Sequence, residues 1–269
     1  MEIFKNKVCL VTGAGSGIGQ ATALAFGKEG AKVVVADINL ENAKKTAQLI
    51  SDWGSGIAQS STQSKQATLN VIALKVDISN REEVENMVKQ TVETFGRLDC
   101  AVNVAGIAGT LSLPTHEYPL ESWHQQINVN LHGTYYCVKY QIEQMLKNQG
   151  GNIVCVSSAA GLRGQPNNVP YAASKHAVVG IVKTAAIEYA TQNIRINAIC
   201  PTAIETPMIM EGRRKLAYNP EALEAAKNYQ AMKRMGQPEE VADVALYLCS
   251  DQASFMTGHA LPVDGGAFA

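Results

Sequence analysis

The stretch Tyr171-Ala172-Ala173-Ser174-Lys175 sets a phenol and an ammonium four residues apart, a spacing suited to acid–base chemistry. It opens an apolar-periodic segment over 171–190, which predicts a helix carrying both side chains on one face, one turn apart. An ammonium beside a phenol stabilises the phenolate and moves its pKa from about 10 toward neutrality. A tyrosine so placed takes or gives a proton near pH 7. The same spacing also describes an ordinary surface pair, so the elements around it must decide.

Near the N-terminus, Val8–Thr12 reads as a buried strand running into Gly13-Ala14-Gly15-Ser16-Gly17-Ile18-Gly19, with a helix predicted over 20–29. A strand, a glycine turn and a helix start make a phosphate cradle, because free N–H groups and the helix dipole both favour an anion there. The pattern is Thr-Gly-x-x-x-Gly-x-Gly. GxGxxG fails in both registers, and no Gly-Lys-Ser/Thr follows to make a P-loop. A second strand over 32–36 ends at Asp37. An acid about twenty positions beyond a glycine loop suits the ribose 2′-hydroxyl of a dinucleotide and repels a 2′-phosphate. No Arg or Lys in the loop or at position 38 compensates, so NAD is favoured over NADP.

A helix over 40–52 precedes the Ser/Gln/Gly tract 54–66, which has no periodicity and is expected to be a flexible insertion. It joins a helix to a strand, at the sheet edge away from a ligand crevice. A strand over 71–76 leads to Asp77, expected beside an adenine, and a charged helix, Arg81–Phe95, follows. The strand Cys100–Asn103 then runs into Asn103-Val104-Ala105-Gly106, small enough for the backbone to lie against a cofactor. A long helix within 120–147 contains Asn130 and Gly133, a locally unfavourable pair whose presence suggests function or a kink. A strand over 152–156 ends at Ser157-Ser158. In a parallel sheet that end faces the ligand, and strand alternation lets only one of the two serines do so.

The 269 residues are 46% hydrophobic and 17% charged, with a net charge of -1, ordinary for a single globular α/β unit. The balance offers no electrostatic footprint for nucleic acid or an anionic membrane, and no apolar run reaches membrane-spanning length. No signal-peptide pattern precedes the first strand. The six cysteines are scattered singly, without metal-ligand or CxxC spacing. No metal site is expected, and buried reduced thiols place the chain in the cytoplasm.

The chain resembles the short-chain dehydrogenases/reductases, in their compact single-domain branch. The resemblance runs over essentially all 269 residues and rests on Thr12-Gly13 to Gly19, Asp77, Asn103 to Gly106, Asn130, Ser158, Tyr171-x-x-x-Lys175 and Pro201. Gly236-Gln237-Pro238-Glu239-Glu240-Val241 and Val263-Asp264-Gly265-Gly266 extend it to the end of the chain. It implies a doubly wound α/β sheet of about seven parallel strands with helices on both faces. It also implies NAD-dependent interconversion of a secondary alcohol and a ketone, with a lean toward cyclic alcohols and diols.

In those terms Tyr171 is the general acid/base and Ser158 polarises the substrate oxygen. Lys175 holds the nicotinamide ribose, and Asn130 helps keep a water in a proton relay. The cofactor contacts fall to Gly13, Ser16, Gly17, Ile18, Gly19, Asp37, Asp77, Ile78, Asn103, Ala105, Gly106, Pro201, Ile204 and Thr206, together with Tyr171 and Lys175. The segment 206–235, with Met208, Met210, Arg213 and Arg214, is expected to form a lid over the substrate. A homotetramer is implied, built from the two long helices and the last strand. Two departures stand out: Val104 at the loose position of the Asn-x-Ala-Gly tetrad, and Thr202 where the family has glycine after Pro201. An NADP-linked 3-oxoacyl or ketone reductase and a non-catalytic dinucleotide sensor remain as alternative readings.

Overall fold

The computed structural model describes residues 2–58, 70–212 and 215–269. Its strands are β1 (Val8–Thr12), β2 (Lys32–Asp37), β3 (Val71–Lys75), β4 (Cys100–Asn103), β5 (Gly151–Val156), β6 (Ile194–Pro201) and β7 (Ala260–Val263). They form one sheet in the order β3-β2-β1-β4-β5-β6-β7, and every pairing is parallel. β1 and β4 are buried at every position, whereas the edge strands β3 and β7 are only partly covered. Val/Ile/Cys-rich runs without alternation are what a sheet covered on both faces requires.

The covering helices are α1 (Gly17–Lys28), α2 (Leu40–Ala58), α3 (Arg81–Phe95), α4 (Leu120–Ile127), α5 (Thr134–Lys147), α6 (Val169–Tyr189), α7 (Pro207–Met210), α8 (Pro220–Asn228) and α9 (Pro238–Cys249). One face is packed by Phe26, Ile50, Val241 and Leu248. The other is packed by Met87, Cys137, Met145, Val178 and Val182. Strand order reverses between β1 and β4, because β2 lies on one side of β1 and β4 on the other. A crevice opens at the carboxyl ends of strands where the order reverses. Among the described residues no helix is long and apolar enough to cross a membrane.

Two local expectations change. The flexible insertion does not begin at Gly54, since α2 runs to Ala58. Each residue added to a nucleated helix gains a backbone hydrogen bond, which offsets the roughly 1 kcal/mol that a glycine costs. Residues 59–66 of that tract lie outside the described residues, as do Arg213 and Arg214 of the 206–235 segment. The long helix over 120–147 is three pieces, α4 and α5 joined by a π-helical turn over Asn128–Gly133. Within 206–235, α7, a 3-10 turn over Leu216–Tyr218 and α8 follow one another.

All six cysteines are buried and unpaired. Burial pushes the Cys155 thiol up to about 11, and Cys137 higher still, so these two are inert packing groups. α9 begins at Pro238 with a reciprocal capping box between Gln237 and Glu240. The Arg234 guanidinium grips Glu240 at 2.6 and 2.8 Å, and with the Gln237 N–H it holds that carboxyl down at about 2.

Candidate active site

Each strand end at the crevice delivers a group. After β1 the chain turns sharply, with Gly13 at φ 65° and Gly17 at φ 51°, a region that L side chains avoid. A Cβ on Gly13 would lie 2.8 Å from the Ala105 backbone, and one on Gly19 would lie 2.1 Å from the Gly13 carbonyl. The loop after β1 is thus packed on the loop after β4. α1 opens with Ser16 as N-cap, without a side-chain cap and without an acidic residue in its first turn. The N–H groups of Gly17, Ile18 and Gly19 have no acceptor among the described residues. Uncapped first-turn donors next to a cavity are an anion site.

At the end of β2 the Asp37 carboxylate accepts from the Gly15 N–H at 2.8 Å through one oxygen and from the Asn39 N–H at 2.8 Å through the other. It is therefore fixed beside the glycine loop. Asp77 is ordered by Ser79, whose N–H and hydroxyl both donate to its Oδ1 at 2.9 and 2.7 Å.

The crevice is also bordered by Ser158, after β5, and by Tyr171 and Lys175 from α6. Tyr171 and Lys175 lie on the first turns of α6, with Lys175 Nζ 5.7 Å from the Tyr171 ring centroid. Lys175 is 5% exposed. Its ammonium donates to the Val156 carbonyl at 2.9 Å and has no carboxylate partner among the described residues. A buried charge paired only with a carbonyl keeps hydrogen-bonding capacity for another group. Ser158 is half-buried, and its Oγ accepts from the Ala160 N–H at 3.1 Å, leaving the hydroxyl hydrogen to donate elsewhere. Both serines border the cavity, but they differ in their hydroxyls. Ser157 is buried and donates to the Lys175 carbonyl at 2.8 Å, whereas the Ser158 hydroxyl hydrogen has no such acceptor among the described residues.

These groups share one cavity of about 640 Å³. Of the residues expected at the site, Gly13, Ser16, Gly17, Ile18, Gly19, Asp37, Asp77, Ile78, Ala105, Gly106, Ser158, Tyr171, Lys175, Pro201, Ile204 and Thr206 line it. Thr202, Met208 and Ile209 also line it, as do Gln125, Asn128 and Val129 from the α4–π segment, which periodicity alone did not single out.

Two expected residues, Asn103 and Asn130, do not line the cavity; their side chains bond to protein groups beside it. Asn103 is paired reciprocally with Gln141 at 2.8 Å in each direction. Asn130 is fully buried. It accepts from the Ile107 N–H and donates to the Ile107 carbonyl, both at 2.8 Å, and donates to Ser174 Oγ at 3.3 Å. Both amides satisfy their polar groups against protein, as buried amides must. Asn130 therefore fixes the backbone bordering the cavity, and a Cβ on Gly106 would lie 3.0 Å from its Oδ1 and 3.5 Å from Lys175 Nζ.

An elongated cavity with free helix-start donors, a carboxylate pinned near one end and a phenol–ammonium pair at the other fits a dinucleotide. A second cavity of about 570 Å³ lies elsewhere, lined by Lys7, Arg97, Asp99 and Arg195 and by none of the expected site residues.

Comparison with known proteins accords with this geometry. Residues 13–267 match the family model described as enoyl-(acyl carrier protein) reductase. The chain is 42% identical over 262 residues to a cyclohexanol dehydrogenase of Acinetobacter sp. (strain SE19), covering 97% of this chain and 95% of that one. It is 38% identical over 262 residues to a 3-oxoacyl-[acyl-carrier-protein] reductase of Thermotoga maritima, covering 97% and 98%. It is 38% identical over 268 residues to a 2,5-dichloro-2,5-cyclohexadiene-1,4-diol dehydrogenase of Sphingobium indicum, covering 99% and 98%. The crystal structure of levodione reductase superposes with a TM-score of 0.85 at 33% identity, covering 97% of each chain.

Proposed function

The chain belongs to the short-chain dehydrogenase/reductase family, and from that premise we propose that it is an NAD-dependent dehydrogenase of secondary alcohols, with cyclic alcohols and diols as the substrate class. That it is an oxidoreductase acting on alcohols or ketones follows from the family. The observation that carries the finer reading is the convergence of Ser158, Tyr171 and Lys175 at one end of the cavity that Asp37 closes at the other.

The first-turn N–H groups of α1 would hold the cofactor diphosphate, Asp37 the adenine ribose, Asp77 and Ile78 the adenine. Ala105 and Gly106 would flank its middle, and Pro201, Ile204 and Thr206 its nicotinamide side. Bound there, the nicotinamide supplies a hydride acceptor for oxidation and a hydride donor for reduction. Ser158 donates its hydroxyl hydrogen to the substrate oxygen and orients it. Tyr171 takes the alcohol proton at its phenol oxygen in oxidation and returns one in reduction. Lys175 contributes positive charge beside the ring and donors to the ribose. Asn130 holds Ile107 and, through Ser174, the first turns of α6. Segment 206–235 serves as a lid, with Met208 and Ile209 as adaptable apolar walls for a ring-shaped substrate.

The names of two relatives support a cyclic substrate. The 3-oxoacyl reductase relative supports a second reading, a 3-oxoacyl reductase, and NADP would be the cofactor of that alternative. Asp37 weighs against it, because a carboxylate repels a 2′-phosphate. The buried unpaired thiols support a cytoplasmic location. Turnover of cyclic alcohols, cyclic diols and 3-oxoacyl thioesters with NAD(H) and NADP(H) tests substrate class and cofactor together. Tyr171→Phe is expected to bind NAD as the parent does while kcat falls by about 10²–10⁴-fold; turnover that survives the change refutes the assignment.

A further inference from the structure

We propose that Ser157 is a positioning residue that holds Lys175 in place for proton transfer at Tyr171, an assignment that rests on the roles given above to those two residues. Ser157 directly follows β5 and is 3% exposed. Its N–H continues the sheet by donating to the Ile199 carbonyl at 2.8 Å, so the sheet sets its position. Its hydroxyl reaches across to α6 and donates to the Lys175 carbonyl at 2.8 Å. The preceding residue, Val156, accepts from Lys175 Nζ at 2.9 Å through its own carbonyl. Two consecutive residues of one strand end therefore grip a single lysine at its backbone and at the tip of its side chain.

Gly161 closes over this contact. A Cβ there would lie 2.4 Å from Ser157 Oγ and 2.7 Å from the Lys175 carbonyl, so no larger residue fits without breaking the grip. A carbonyl inside a helix already accepts from the N–H four residues on. The Ser157 bond thus adds nothing the helix itself needs. What it does is set the height and rotation of α6 on the sheet at the turn that carries the ammonium, with Tyr171 one turn earlier on the same helix. The bland alternative is a buried hydroxyl that has merely found an acceptor.

The test is the kinetics of Ser157→Ala and Ser157→Cys in the full chain with NAD and an alcohol that the parent oxidises. A displaced reacting group costs up to about 100-fold, so kcat of the alanine variant is expected to fall about tenfold or more while both KM values stay within about twofold. The pH at half-maximal kcat for oxidation is expected to rise by about half a unit, because a misplaced ammonium supports the phenolate less well. The cysteine variant, which retains a weak donor, is expected to recover part of kcat. Should the alanine variant not fold, the same pH shift in the cysteine variant against the parent carries the test. An unchanged pH profile, or a cysteine variant no faster than the alanine one, overturns the proposal. Lys175→Ala and Tyr171→Phe distinguish the two levels. If either keeps parental turnover, the acid–base reading itself is lost; if both are inactive and Ser157→Ala matches the parent, only the role of Ser157 is lost.

Discussion

At the scale of single residues, the proximity of Tyr171 and Lys175 was legible because a four-residue spacing on a helix is a geometric statement. Tyr171 and Lys175 do lie together, with the ammonium 5.7 Å from the ring. The asparagines were not legible in the same way. Residue type says that Asn103 and Asn130 need partners, but only the packing shows that Gln141 and Ile107 supply them. On the proposed reading, cofactor choice turns on Asp37. Its two oxygens are each held by one backbone N–H, which leaves lone pairs that would serve ribose hydroxyls and places a carboxylate where, on that reading, a 2′-phosphate would sit. Replacing a charged acceptor costs about 1.5–3 kcal/mol of the bond it makes. Asp37→Ala is therefore expected to lower kcat/KM for NAD by about tenfold or more, and to raise the NADP-to-NAD ratio by more than that factor. Steady-state kinetics with both cofactors checks this, and an unchanged ratio removes Asp37 from the ribose.

At the scale of elements, strand and helix identities followed from hydrophobic runs and glycine turns, and β1, α3 and β4 fall where the pattern put them. The interrupted helix carries the more instructive result. Asn130 and Gly133 were legible as a breach of local helix preference, and the structure accommodates them in a π turn. There the Asn130 carbonyl accepts from the Thr134 hydroxyl at 2.8 Å. Such single-turn bulges gather at functional sites, and this one delivers Val129 to the cavity while burying Asn130. Gly133 is required by the neighbouring loop. A Cβ there would sit 2.8 Å from the Ile78 side chain and 3.0 Å from its carbonyl. Gly133→Ala should stabilise an isolated helix by about 1 kcal/mol. Here it is expected to destabilise the protein by about 1–3 kcal/mol through overpacking. Because Ile78 lines the cavity, NAD binding should weaken as well. Denaturation midpoints and NAD titration check both effects, and a raised midpoint with unaltered NAD affinity would contradict them.

At the scale of the whole molecule, apolar side chains remain uncovered on the two long helices and beside the last strand: Tyr135 at 49% exposure on α5, Ile187 at 82% on α6 and Phe255 at 101% just before β7. In the proposed homotetramer, built from those elements, these groups would be covered by neighbouring subunits, as contiguous apolar patches at association surfaces are. Light scattering after size exclusion should report four chain masses, and Ile187→Glu should reduce the count; a monomeric parent at micromolar concentration rules the tetramer out. By itself the amino-acid sequence determined the α/β class, the glycine turn, Asp37 and the Tyr171–Lys175 pair, because each is a matter of neighbours within a few residues, where backbone geometry dictates who can meet. Only the tertiary structure decided that the Ser157 hydroxyl is spent on the Lys175 carbonyl while that of Ser158 is not, that the Asn103 and Asn130 side chains are spent inside the protein, and that α2 runs through Gly54 and Gly56. Those outcomes depend on partners far away in the chain, where burial obliges each polar group to find an acceptor or donor that no local pattern names.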